Sequence, residues 1–202
     1  MTDHVDPPWE PPLAGTEVEH LIGALDRQRW TFRWKADGLD AEALGFRLPS
    51  SSLSLGALLK HVAACEALKM TWDIDGSRPW DPFVREDAHT WAFESAGSDS
   101  AEELYALYDT TVARARERTS ELLASGGLDQ TVALGQQWGV TVSLRRVLFD
   151  LLEEYARHTG HADLLREAVD GRVGEDPPED WRPVSRARRR CAGGRPAATG
   201  HP

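Results

Sequence analysis

Four long stretches of this chain carry a helical pattern of apolar residues, each behind a capping residue, and little between them reads as strand. Helices of this kind must bury their apolar stripes against one another. The first opens at Thr16-Glu17-Val18-Glu19, a capping box in which hydroxyl and carboxylate satisfy the end amides, and runs to about Asp37. The second follows Ser54 and runs through Leu58, His61, Cys65 and Leu68 to about Trp72. The third opens at Ser100-Ala101-Glu102-Glu103, another capping box, and continues to about Ala124. The fourth follows Ser143 and ends near Asp170, where Gly171 suits a C-terminal cap. A long connection, 73–99, separates the second and third segments and carries Trp80, Phe83 and Trp91. Four helices with one long crossover define an all-α four-helix bundle, and 128–142 has room for a short extended pair.

The ends read differently. Residues 1–15 hold Pro7, Pro8, Pro11 and Pro12 and form an extended lead-in. From 172 to 202 the chain is rich in Pro, Gly and Arg and is expected to be mostly disordered. The bundle proper is therefore 16–171, one domain large enough to hold a core without disulfide or metal staples. No apolar run reaches the ~20 residues of a membrane span, and the N-terminus lacks the basic and apolar regions of a signal peptide. With only Cys65 and Cys191 there is no disulfide framework, and the expectation is a cytoplasmic protein. The net charge is −10 even though Arg182 to Pro202 holds six arginines and no acid, so the folded body is more acidic still. An acidic body argues against nucleic-acid binding.

The fourth segment carries the chemistry. With Glu154 at 0° and about 100° per residue, Val147 and Leu165 fall near +20°, His158 near +40°, Leu151 near +60° and His161 near −20°. Glu154, His158 and His161 therefore lie within the apolar stripe, while Glu153 faces solvent. A carboxylate there needs an ion-pair partner, a raised pKa or a metal. The second segment offers a partner. With His61 at 0°, Leu68, Trp72, Cys65 and Leu58 all fall between about −20° and +60°, so His61 also points inward. Residues four apart are neighbours on a helix, so His61, Glu154 and His158 make a facial set of two imidazoles and one carboxylate. Such a set suits Zn²⁺, and also Fe²⁺ or Ni²⁺, and three protein ligands leave a coordination position open, as catalytic sites do. The competing reading is a buried ion pair of Glu154 with His61 or His158.

The runs Leu58-Leu-Lys-His61-Val-Ala-Ala-Cys-Glu66 and Glu153-Glu-Tyr-Ala-Arg-His158-Thr-Gly-His161-Ala-Asp-Leu-Leu-Arg-Glu167 resemble the DinB-like superfamily of four-helix bundles. They are most similar to its actinobacterial branch, which includes mycothiol-dependent maleylpyruvate isomerase and thiol S-transferases. The resemblance implies a divalent metal, usually zinc, at one end of the bundle, with His61 and His158 at ligand positions. Many members have His where this chain has Glu154, a departure that the isomerase shares. It also implies mycothiol or a similar low-molecular-weight thiol as co-substrate, with a small electrophile as the second substrate. Three lysines among 23 basic residues fit the GC-rich genome of a mycothiol user.

On this reading His61, Glu154 and His158 hold the metal. His161 is a proton shuttle or thiol-orienting group, or else a packing histidine. Cys65 is a fourth ligand, a redox thiol or, as buried Cys usually is, a small core hydrophobe. Trp72, Trp80, Trp91 and Trp138 either wall a pocket or pack, Arg145, Arg146 and Arg157 either meet an anion or are solvated, and His20 and His89 are surface or loop residues. Two other functions stay open. One is hydrolysis or isomerisation by a zinc-bound water without thiol. The other is a non-catalytic metal- or ligand-binding stress-response bundle, and self-association as a homodimer is compatible with any of the three.

Overall fold

The computed structural model describes residue 7 and residues 9–183. Its α-helices are α1 (Glu17–Ala36), α2 (Ala41–Leu44), α3 (Leu55–Leu68), α4 (Ala88–Ser95), α5 (Ala101–Gly126) and α6 (Leu144–Asp170). The four long ones, α1, α3, α5 and α6, are the four segments of the sequence pattern, packed as an all-α bundle. They start where their caps stand. Both halves of the capping box form at Thr16 and at Ser100. The Ser54 and Ser143 hydroxyls accept from the amides of Ala57 and Arg146. α6 ends on Gly171, whose φ of +77° is the left-handed cap conformation open to glycine.

α3 is the centre of the packing, lying against α5, α4 and α6, while α1 packs chiefly on α6. From Leu55 to Ala67 every residue of α3 is buried except His61. A buried polar knot ties three helices together. Arg29 of α1 donates from Nε and Nη2 to the two oxygens of Glu66 on α3, at 2.7 and 2.8 Å. The Tyr155 hydroxyl of α6 donates to the same carboxylate at 2.9 Å.

The connection 73–99, expected as a loop, is built around α4 and a 3-10 turn, Ala96–Ser98. Phe83, Ala88, Ala92 and Ala96 are buried there, and α4 packs on α3. With only eight residues, α4 is too short for an apolar stripe to stand out in the sequence, and Asp87 before it makes no side-chain cap bond. The end of α3 also departs from expectation. Lys69–Asp73 form a π-helical turn, whose i→i+5 bonds advance fewer degrees per residue than an α-helix. Trp72, expected inward, is 58% exposed, and Met70 and Thr71 are buried instead.

The extended pair within 128–142 is present as two antiparallel two-residue strands, β1 (Thr131–Val132) and β2 (Val142–Ser143). Between them Gly135 has φ +94°, and a Cβ there would stand 2.8 Å from the Val140 and Val142 side chains, so the turn needs glycine. Residues 172–183, expected to begin the disordered tail, run back along α1. Arg172 donates to the Trp34 carbonyl at 3.2 Å, Asp176 pairs with Arg27, and Trp181 meets the Trp30 ring edge-on. Residues 1–6, 8 and 184–202, including Cys191 and the basic run Arg186–Arg190, lie outside the described residues. Among the described residues no helix is long and apolar enough to cross a membrane.

Candidate metal centre

α3, α4 and α6 enclose a cleft of about 290 Å³ lined by His61, Cys65, Leu68, Trp72, His89 and Glu154, with Lys69 and Asp73 of the π turn beside them. His61, Cys65 and Leu68 share one face of α3, as periodicity groups them, and that face lines this cleft, with Cys65 also part of the core. A larger groove of about 510 Å³ lies between α1 and α5. Its Arg29 and Arg116 are already paired with Asp26, so it offers no comparable set of free donors.

The three expected ligands come together. The Glu154 carboxylate oxygen Oε2 lies 3.7 Å from His61 Nε2 and 3.4 Å from His158 Nε2. One ligand atom from each of the three residues lies within 4.8 Å of the other two. Glu154 is not deep in the apolar stripe as the helical wheel placed it. Its side chain is 39% exposed at the cleft wall, against 12% for His61 and 10% for His158. Its carboxylate is therefore hydrated on one side, and burial alone does not demand a partner for it.

The separations bear on whether the set is an ion pair or a chelate. Both exceed the roughly 2.7–2.9 Å of a charge-assisted hydrogen bond. Nitrogen and oxygen donors bound at roughly 2.0–2.2 Å to one tetrahedral cation stand about 3.4 Å apart, which matches the His158 separation and is a little shorter than the His61 one. Both imidazoles also favour the neutral form that a metal requires. Burial, reinforced by the neighbouring His158 ring, lowers the His61 pKa to about 4. Burial lowers that of His158 as well, against the attraction of Glu154. His61 Nδ1 is buried without a hydrogen-bond partner, and the Phe93 ring of α4 stacks on the imidazole at 4.7 Å. The residues present therefore fit a divalent cation.

His161 stands behind this set. Its Nδ1 is 3.3 Å from His158 Nδ1, and it is not among the residues lining the cleft. His89, expected as a surface or loop residue, is brought to the cleft by α4, its ring 5.4 Å from that of His61. The missed signal was the helix that carries it. Cys65 is buried with its Sγ 3.7 Å from His61 Nε2, and burial pushes its thiol pKa up to about 12.

Of the four candidate tryptophans, Trp72 lines the cleft. Trp91 lies under the Lys60 ammonium and Trp80 under the Arg114 guanidinium, while Trp138 is exposed. Arg145 pairs with Glu17 and Asp129, and Arg146 with Asp150, so neither is free to meet an anion.

An all-α bundle that gathers two imidazoles and a carboxylate from two helices at one cleft belongs to the DinB-like class that the sequence resembled. Residues 20–171 match the model of the mycothiol-S-transferase family (MST), and the chain belongs to that family. No curated protein gives a significant match to it.

Proposed function

We propose that this chain is a metal-dependent transferase that activates mycothiol, or a closely similar low-molecular-weight thiol, for attack on a small electrophile. The observation that carries this reading is the spacing of His61, Glu154 and His158, the first two on the wall of a cleft, in a member of this family. A divalent cation held by these three side chains lowers the pKa of a coordinating thiol, which in free solution is near 8.5, so that it is ionised at neutral pH. Zinc suits the donor set best, with Fe²⁺ and Ni²⁺ compatible.

The rest of the chemistry belongs to the chain. Three protein donors leave space for the thiol on the open side of the cleft. Glu154 contributes the negative charge of the set. His161 is the positioning residue: with His158 Nδ1–H donating to His161 Nδ1, His158 Nε2 keeps its lone pair towards Glu154. That position, behind His158 and away from the cleft, favours orientation over proton shuttling. Leu68 and the exposed Trp72 indole offer an apolar wall to the electrophile. The thiol sulfur forms a bond to the electrophilic carbon, the thiol proton leaves to solvent at the cleft mouth, and the electrophile keeps or expels the displaced electron pair according to its leaving group.

Elemental analysis tests the centre. About one divalent metal per chain is expected in the wild type, with loss in Glu154→Ala and His158→Ala. Thiol consumption with a chromogenic electrophile should follow metal content. Equal metal in all three proteins, or activity without added thiol, overturns the reading.

A further inference from the structure

Two donors at the cleft are left unused by this chemistry. Cys65 follows His61 by one helical turn, and its Sγ is as far from His61 Nε2 as Glu154 Oε2 is, 3.7 Å in each case. His89 faces both from the first turn of α4. One ligand atom from each of His61, Cys65 and His89 lies within 4.8 Å of the other two. Zinc–nitrogen bonds of roughly 2.0–2.1 Å and a zinc–sulfur bond of roughly 2.3 Å, at the tetrahedral angle, set nitrogen and sulfur about 3.6 Å apart. The structure thus offers a sulfur-containing set whose His61–Cys65 separation is close to the chelate value, with His89 within reach of both.

We propose that His61, Cys65 and His89 form a second cation subsite, selective for thiophilic ions such as Cd²⁺ or Cu⁺ over Zn²⁺. His61 Nε2 is directed towards both Cys65 Sγ and Glu154 Oε2, so the subsites are alternatives around one pivot, and one ion occupies one or the other. Soft cations prefer the thiolate side, where two imidazoles and a sulfur meet. Harder divalent ions prefer the carboxylate side. On binding, the Cys65 thiol loses its proton to solvent through the cleft that Cys65 lines, and a sulfur–metal bond forms with no change of oxidation state. The proposal rests on the thiol-transferase reading only through the shared His61. One consequence is that an ion on the Cys65 side already has a thiolate partner, with which a thiol co-substrate would have to compete.

Cadmium titrated into the full-length chain after chelator treatment reads the subsite directly, through the ultraviolet thiolate-to-cadmium charge-transfer band. The wild type should develop this band up to one equivalent. Cys65→Ser should abolish it, Glu154→Ala should retain it, and His89→Ala should weaken cadmium binding about tenfold or more. His89 is exposed, so that variant stands as the test if Cys65→Ser fails to fold. Cadmium bound without the band, no cadmium bound, or a band that survives Cys65→Ser and disappears in Cys191→Ser would each overturn the proposal. Failure of the carboxylate site shows separately, as zinc content indifferent to Glu154→Ala.

Discussion

Glu66 and Glu154 show how differently two carboxylates on facing helices are used. Glu66 is fully buried and shared by Arg29 and Tyr155, whereas Glu154 stands at the cleft wall. Glu66→Ala would leave the Arg29 guanidinium buried with Asp26 as its remaining partner, so a loss of about 3–5 kcal/mol is expected in urea denaturation. Glu154→Ala should cost within about 1 kcal/mol and act on metal content instead. His161→Ala should keep the fold and weaken zinc binding roughly 10- to 100-fold in competition with a chelator. His161→Asn, which retains a hydrogen-bonding side chain, should recover part of the affinity. At this scale the sequence was informative about direction and poor about depth. Periodicity brought His61, Glu154 and His158 together because each sits on a long regular helix. It left Glu66 unassigned, because its partner Arg29 comes from another helix and nothing in either local pattern marks the pairing.

Helices were legible in proportion to their length and their caps. α1, α3, α5 and α6 each carry a capping Ser or Thr and enough turns for an apolar stripe to show. α2 and α4 do not show it: α2 has four residues, and α4 lacks a side-chain cap bond and is held by burying Ala88 and Ala92. Missing α4 meant missing His89 and so the second donor set of the cleft. The π turn was also invisible, since a fixed angular step cannot register a local change of step, and Trp72 was misplaced with it. The caps themselves yield an element-level prediction. At Ser100 the hydroxyl accepts from the Glu103 amide at 3.2 Å while the Glu103 carboxylate accepts from the Ser100 amide at 2.8 Å. Ser100→Ala removes the first of these and should destabilise the protein by about 1 kcal/mol, seen as a lower denaturation midpoint with unchanged slope. Metal content should not move, because α5 contributes no residue to the cleft lining.

At the scale of the whole molecule, the described segments before and after the bundle meet on one residue of α1. Trp9 stacks at a tilt on Trp30 with ring centroids 5.7 Å apart, and Trp181 meets the same ring edge-on at 5.7 Å. The Trp181 indole also donates to Asp37 at 3.2 Å, and the Arg182 guanidinium lies 5.8 Å from the Trp9 ring and 5.9 Å from the Trp30 ring. Composition classed both segments as lead-in and tail because prolines and glycines break any period, and attachment by single tryptophans has no period to find. Because the two flanking segments share Trp30 without an aromatic contact between Trp9 and Trp181, their contributions should be coupled. Trp9 is almost fully buried, so Trp9→Ala should cost about 3 kcal/mol or more. The half-buried Trp181 should cost about 1 kcal/mol. With either anchor gone, Trp30 is free to turn towards solvent and the other loses part of its support. The double variant should therefore cost at least about 0.5 kcal/mol less than the sum of the single ones. A double-mutant cycle by urea denaturation measures this directly, and additivity within about 0.3 kcal/mol would mean that the two flanking segments dock on α1 independently.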